Sequence, residues 1–253
     1  MLNSTGILTV LDRGITINWD DGPTLHRITA QVRYHTATLA TTQLLRVHAL
    51  QRYSDDPLVF AAEDSIKAAW MWRDARMVDS EAIAYWTTQL SVTNQTDEDI
   101  YLDTMDVIRI DSAYSGQFNI GAPTGLWQCA VESAADLKWE AWSETTSSAG
   151  GFTRQRVLLV QPTVSNRSRP PVVLVKALDS PQGGAAAHPT EIKLEINGER
   201  FERMVACTRT DGTLLSPGAT LFSAQFQVAS GDSPAELLQL SPPEDKQNDQ
   251  PGK

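Results

Sequence analysis

The residue pair in this sequence best spaced for bond-breaking chemistry is Glu140 and Glu144, in the stretch LKWEAWSE. Two carboxylates close together can serve as nucleophile and acid/base in glycoside hydrolysis. The approach to them is polar, from Ala134 to Lys138, whereas a reacting carboxylate of that kind projects from the end of an apolar parallel strand. Both are therefore expected to be solvated structural carboxylates, and no catalytic residue is assigned. His26, His35, His48 and His188 could each move a proton, but none has an informative motif around it. No HxH or DxDxD spacing occurs, so neither a metal nor a cofactor is expected.

Aromatic residues offer a second kind of chemistry. Trp127, Trp139 and Trp142 form the densest group of indoles. Flat indoles can stack on the C–H faces of sugar rings. Gly121, Pro123 and Gly125 mark the adjoining stretch as a loop, where contacts are carried. These three tryptophans are the candidate carbohydrate-binding residues. Trp70, Trp72 and Trp86 are expected in the core.

The elements that must position these residues follow from length and pattern. The chain has 253 residues and a formal net charge of −10, with 21 Lys and Arg scattered along it. Such a chain repels polyphosphate backbones and anionic lipid surfaces, so neither nucleic acid nor membrane is an expected partner. Two distant cysteines, Cys129 and Cys207, make no CxxC pair and read as buried thiols of a reducing compartment. The start MLNSTGILTVLDRG carries neither a basic leader nor a long apolar run, which points to the cytoplasm.

Period-two alternation dominates the chain. From Glu81, one face carries Ala82, Ala84, Trp86, Leu90 and Val92, and IYLDTMDVIRI resumes the pattern with a slip near Met105 that reads as a bulge. With turn residues from Asn94 to Asp99 between them, the two runs predict a hairpin over residues 81–111. RQRVLLVQP and RPPVVLVKAL read as strands buried on both faces, and Asn197-Gly198 marks a hairpin turn. Phe222, Ala224, Phe226 and Val228 share one predicted face. Residues 61–78 combine helix formers with Trp70 and Trp72 at strand spacing, which leaves their type open. Ser233, Pro234 and Glu236 form a capping box for a short C-terminal helix of about two turns, with Leu237 and Leu238 behind it. Residues 1–240 are expected to form one antiparallel sandwich, and 241–253 a disordered polar tail that reads as a natural stop.

Three segments together resemble one family. LSVTNQTDEDIYLDTMDVIRID, FNIGAPTGLWQCAVES and LLSPGATLFSAQFQVASGDSPAELLQL are similar to the N-terminal β-supersandwich domain of the alpha-galactosidase group of glycoside hydrolase family 36, over about residues 5–240. The resemblance implies an all-β, galactose mutarotase-like antiparallel supersandwich with a short C-terminal helix. It also implies that the catalytic barrel, which would follow Leu240, is not in this sequence, so the chain would be a non-catalytic, carbohydrate-associated half. Lys138-Trp139-Glu140 is similar to that barrel's Lys-Trp-Asp nucleophile motif but carries Glu in place of Asp. Gln128-Cys129-Ala130 stands where the family has Gln-Ser-Trp, removing an aromatic near the substrate.

Two functions of different class follow. In one, the segment around Trp127, Trp139 and Trp142 binds a galactoside-like carbohydrate. In the other, Leu237 and Leu238 form a partner contact with a separate glycosidase catalytic chain or a second copy of the chain. An aldose mutarotase-like activity, with His and Glu as acid and base over a sugar, is a weaker third.

Overall fold

The computed structural model describes residues 5–20, 22–38, 41–47, 52–55, 58–64, 66–76, 83–131, 137–141, 150–163, 170–178 and 188–240. The tail 241–253 lies outside them. Two large antiparallel sheets enclose the core, so the all-β sandwich expectation holds. The first sheet contains β1 (Gly6–Leu11), β2 (Gly14–Trp19), β3 (Thr24–Thr36), β4 (Gln43–Val47), β9 (Ile100–Asp111), β10 (Gln117–Asn119), β13 (Gly150–Arg154), β16 (Thr190–Asn197) and β17 (Arg200–Leu215). The second contains β5 (Arg52–Asp55), β6 (Leu58–Glu63), β7 (Ile66–Arg76), β8 (Ile83–Asn94), β11 (Trp127–Val131), β12 (Lys138–Ala141), β14 (Val157–Pro162), β15 (Val172–Leu178), β18 (Thr220–Phe222) and β19 (Gln225–Gly231).

The side chains that alternate inward from both sheets form one apolar cluster, as expected for half-buried strands. Trp70, Trp72 and Trp86 are all within it, with Trp70 and Trp72 edge to face at 5.3 Å. The ambiguous stretch around them is strand over 61–63 and 66–76, a β6–β7 hairpin whose Leu58 pairs with Trp72 and Glu63 with Lys67; residues 77 and 78 lie outside the described residues. Cross-strand burial outweighs the helix propensity of its alanines. Asn197-Gly198 turns the β16–β17 hairpin, with Gly198 at φ 58°.

Two expectations need correction. β8 and β9 do not pair as a hairpin: β8 lies between β7 and β19, and β9 between β3 and β17 in the opposite sheet. Residues 95–99 form an arch between sheets, built on Asn94. Its side-chain oxygen accepts from the Thr96 backbone N–H at 2.9 Å, and its amide donates to the carbonyls of Glu98 and Leu215. Second, Phe222 is 40% exposed and does not share the core face of Phe226 and Val228. Ser223 and Ala224 interrupt the ladder between β18 and β19, and Ser223 Oγ takes the Leu90 N–H that the break leaves over.

The terminal helix α1 (Pro234–Leu238) is shorter than expected. Ser233 Oγ accepts from Glu236 N–H at 3.4 Å, and Leu237 is fully buried. No described helix is long and apolar enough to cross a membrane.

Candidate functional site

The structure separates Trp127 from Trp139. Trp127 is 2% exposed inside the main core, where its indole N–H donates to the Ala122 carbonyl at 2.9 Å and its ring packs against Phe118 and Phe201. It offers no ring face to a ligand. Trp139, opposite Ala130 on edge strand β12, is half-buried on the outer face of the second sheet. Trp142 and Glu144 lie outside the described residues. Glu140 is on β12 too, with a solvated side chain 3.4 Å from Arg154.

What the structure does bring together is Trp139 and α1. Trp139, Leu238 and Leu240 pack as partly buried residues around a small outer cluster of Tyr85, Ala130, Leu159, Val172, Leu174, Ala229 and Leu237. Leu237 is thus already covered by this chain's own sheet, with Lys176 Nζ fastening the helix through the Leu238 carbonyl at 3.0 Å.

A concavity among the described residues lies elsewhere, on the outer face of the first sheet. β3 changes partners there, from β2 over Leu25–Ile28 to β4 over Ala30–Tyr34. The pocket is about 540 Å³ and is lined by Arg13, Arg27, Thr29, Gln31, Arg46, Arg109, Asp111, Ala113, Tyr114 and Ser115. Its volume falls in the range typical of small-molecule sites.

Two β-bulges aim its arginines. In β9, the register against β17 skips Val107: Asp106 pairs with Cys207 and Ile108 with Ala206. Alternation continued from Met105, which follows an earlier register shift at Asp103, would turn Arg109 and Asp111 inward. The extra residue resets it, so Val107, Ile108 and Ile110 stay in the core while Asp106, Arg109 and Asp111 share the outer face. In β3, four residues from Leu25 to Ile28 face three from Ile17 to Ile15, and Arg27 takes up the slack at φ 55°. This left-handed backbone is one that side-chain-bearing L-residues avoid. Gly14 makes room for it, because a Cβ there would stand 2.6 Å from the Ile28 carbonyl oxygen.

A charged floor holds the pocket. Arg109 donates from Nη1 to Asp106 at 3.2 Å and from Nη2 to Asp111 at 2.5 Å, and Gln31 Nε2 donates to Asp106 at 3.3 Å. Burial pushes the Asp106 carboxyl up from its ordinary range, against the downward pull of Arg109 and then Arg33. Asp111 also caps the 3-10 turn Ser112–Tyr114 by accepting from Ala113 N–H. That turn carries Tyr114 to the rim. There its hydroxyl accepts from Arg46 Nη2 at 2.7 Å, its ring lies under the Arg46 guanidinium at 4.6 Å, and its carbonyl accepts from Arg27 Nη1 at 3.4 Å. Among the described residues, no carboxylate forms a salt bridge with Arg13, Arg27 or Arg46.

Sequence reasoning missed this site. Its residues come from the β1–β2 turn, β3, β4 and the end of β9, and the one local signal was the slip in alternation near Met105. The described histidines His26, His35 and His188 are not among its lining residues, and His48 lies outside the described residues. His26 Nδ1 meets Thr16 Oγ1 at 2.9 Å, with burial lowering its pKa, and His35 pairs with Asp103 at 3.1 Å. Among the described residues no group of three His, Cys, Asp or Glu could hold a metal.

No protein-family model matches the chain, and no curated protein matches it. Among solved structures it is similar to the galactosidase domain of the alpha-galactosidase-sucrose kinase AgaSK, at 7% identity and TM-score 0.46 over 79% of this chain and 30% of that one. The GH36 alpha-galactosidase AgaB from Geobacillus stearothermophilus gives 11% identity and TM-score 0.47 over 86% and 30%. The Slr1438 protein from Synechocystis sp. PCC 6803 gives 8% identity and TM-score 0.45 over 79% and 73%. The chain thus spans 30% of the length of the two galactosidase chains. At TM-scores below 0.5 these likenesses assign no function, and the all-β architecture rests on the strand ladders themselves.

Proposed function

We propose that this chain is a non-catalytic binding domain that holds a small anionic ligand in the Arg13–Arg27–Arg46–Arg109 pocket. One observation carries the reading. A chain of net charge −10 gathers four guanidiniums around one concavity, and three of them have no carboxylate partner among the described residues. Like charges are brought together against their repulsion, which a bound anion relieves. Arginine suits the task because its planar fork meets an oxyanion through two parallel hydrogen bonds. The carboxylates of the floor, Asp106 and Asp111, are both engaged by Arg109, so the reading gives neither a general acid or base role.

Titration calorimetry at low ionic strength with sodium sulfate and sodium acetate tests it. Saturable binding that weakens with added chloride and is lost in Arg46→Ala is the expected result. Flat heats for both anions refute it.

A second reading is favoured by the outer cluster of the second sheet. Trp139, Leu238 and Leu240 remain partly exposed there, and a separate glycosidase chain or a second copy of this chain would cover them. Sedimentation velocity on wild type and Leu238→Asp decides it: an assembly that the charge dissolves supports a subunit role, and identical monomers remove it. The cytoplasm remains the proposed location, since Cys129 and Cys207 are buried and unpaired, as suits a reducing compartment.

A further inference from the structure

We infer that the ligand of the arginine pocket is an acidic sugar, a saccharide bearing a uronic acid carboxylate; the inference rests on the anion-pocket reading and goes beyond it to the ligand's chemical class. Three observations point the same way.

First, the pocket is much larger than a bare oxyanion requires. An ion of four oxygens displaces a few waters at about 30 Å³ each. Most of the roughly 540 Å³ is therefore left for a body attached to the charge.

Second, the polarity is mixed. Beside the arginines stand Asp111, Thr29, Gln31 and Ser115. Asp111 gives one oxygen to Arg109 and the other to Ala113 N–H. A carboxylate has about four acceptor sites, so further donors can still reach it. A fully ionised phosphate or sulfate has no proton to donate there and would meet only repulsion. A sugar acid has both parts: a monoanionic carboxylate for the guanidiniums and hydroxyl protons for Asp111.

Third, the rim presents an aromatic platform already fixed in place. Tyr114 is 56% exposed, yet two arginines hold it, Arg46 through its hydroxyl and one ring face and Arg27 through its carbonyl. An exposed tyrosine fixed in this way is suited to pack against the C–H face of a pyranose.

The test is titration of the full chain, at one ionic strength, with galacturonate, galactose, acetate and sulfate. Galacturonate should bind about tenfold or more tighter than acetate, sulfate or galactose. Tyr114→Leu should weaken galacturonate about tenfold more than it weakens sulfate, while Tyr114→Phe keeps galacturonate binding near wild type. Because Tyr114 is exposed, neither variant threatens the fold, and thermal melts verify this. If sulfate binds as tightly as galacturonate, the acidic-sugar inference is overturned and the anion pocket stands. If galactose matches galacturonate, the inference is overturned because the charge is not read. If Tyr114→Leu weakens both anions equally, Tyr114 serves only to hold Arg46, and the inference is again overturned. Flat heats with both acetate and sulfate overturn the pocket reading as well.

Discussion

Replacing Arg27 with glycine should separate stability from binding, because the residue combines a strained backbone with a guanidinium that has little to do inside the protein. At φ 55°, Arg27 occupies left-handed space that costs an L-residue about 1–2 kcal/mol. Glycine removes that cost but brings about 0.5–1 kcal/mol of extra unfolded-chain entropy. The side chain's own hydrogen bond, to the Tyr114 carbonyl, is long at 3.4 Å, and losing it costs about 0.5 kcal/mol. The terms nearly cancel, so Arg27→Gly should melt close to wild type. Arg27→Ala keeps the strain and loses the same bond, placing it about 1 kcal/mol below the glycine variant, a gap of about 2–4 °C for a chain of this size. Ligand binding should move differently. Both variants lose a charge-assisted hydrogen bond worth about 1.5–3 kcal/mol, which weakens anion affinity about ten- to a hundredfold. Differential scanning calorimetry and titration calorimetry on the same preparations read both quantities. Alanine and glycine variants that melt together would refute the strained bulge, and an Arg27→Gly protein that binds anions like wild type would refute the pocket.

Leu237→Ala should release α1 from the outer face, so the amides of Leu237, Gln239 and Leu240 lose their protection from exchange. A five-residue helix at the end of the described chain should come away locally, with a smaller stability loss than the roughly 2–5 kcal/mol of a central Leu→Ala. A global loss of that full size would refute it. The raised pKa of Asp106 means that the folded protein holds this proton more tightly than the unfolded chain, whose reference value is 3.8. Its stabilising effect is therefore complete below about pH 4 and declines as pH rises through the folded value. In urea melts, the stability of wild type relative to Asp106→Asn should shrink with rising pH, and a difference that grows refutes the assignment. Burial pushes the Cys207 thiol up to about 12 and Cys129 higher still, so neither should react with a thiol reagent at about pH 8 until the protein unfolds.

Strand type was legible because a half-buried antiparallel strand writes its environment into every second residue. Ile192, Leu194 and Ile196 point to the core, with Glu191, Lys193 and Glu195 opposite, and β16 forms as that pattern requires. Sheet membership was not legible. A polar turn between two alternating runs describes a hairpin and an arch between sheets equally well, and Asn94 hydrogen-bonds its own turn in either case. The choice belongs to distant residues: β7 and β19 claim β8, and β3 and β17 claim β9. The aromatic segment shows the same limit. Loop residues near Trp127 suggested an exposed ring, but Phe118 and Phe201 reach it from two other strands and cover it.

The pocket was hidden for a different reason. Net charge is a sum, and a sum over 253 residues cannot report that four of the arginines meet. A bulge reverses the parity of every residue beyond it. Without the extra residue at Val107, Arg109 and Asp111 would enter an apolar core and Ile110 would face water, a fold that costs far more than one irregular pairing. The apolar residues alone thus enforce the bulge in β9, and DVIRID betrays it in sequence. The bulge in β3 has no such signature. Leu25 and Ile28 are both inward, three apart, and the residue between that adopts the left-handed turn is arginine, where glycine or asparagine would be easier. Packing of β3 against β2 explains why a bulge is there, with Gly14 leaving room for it, but it gives no reason to place a long cation on the strained position. A site that needs its guanidinium supplies one, which is why the glycine substitution at that position tests the whole reading.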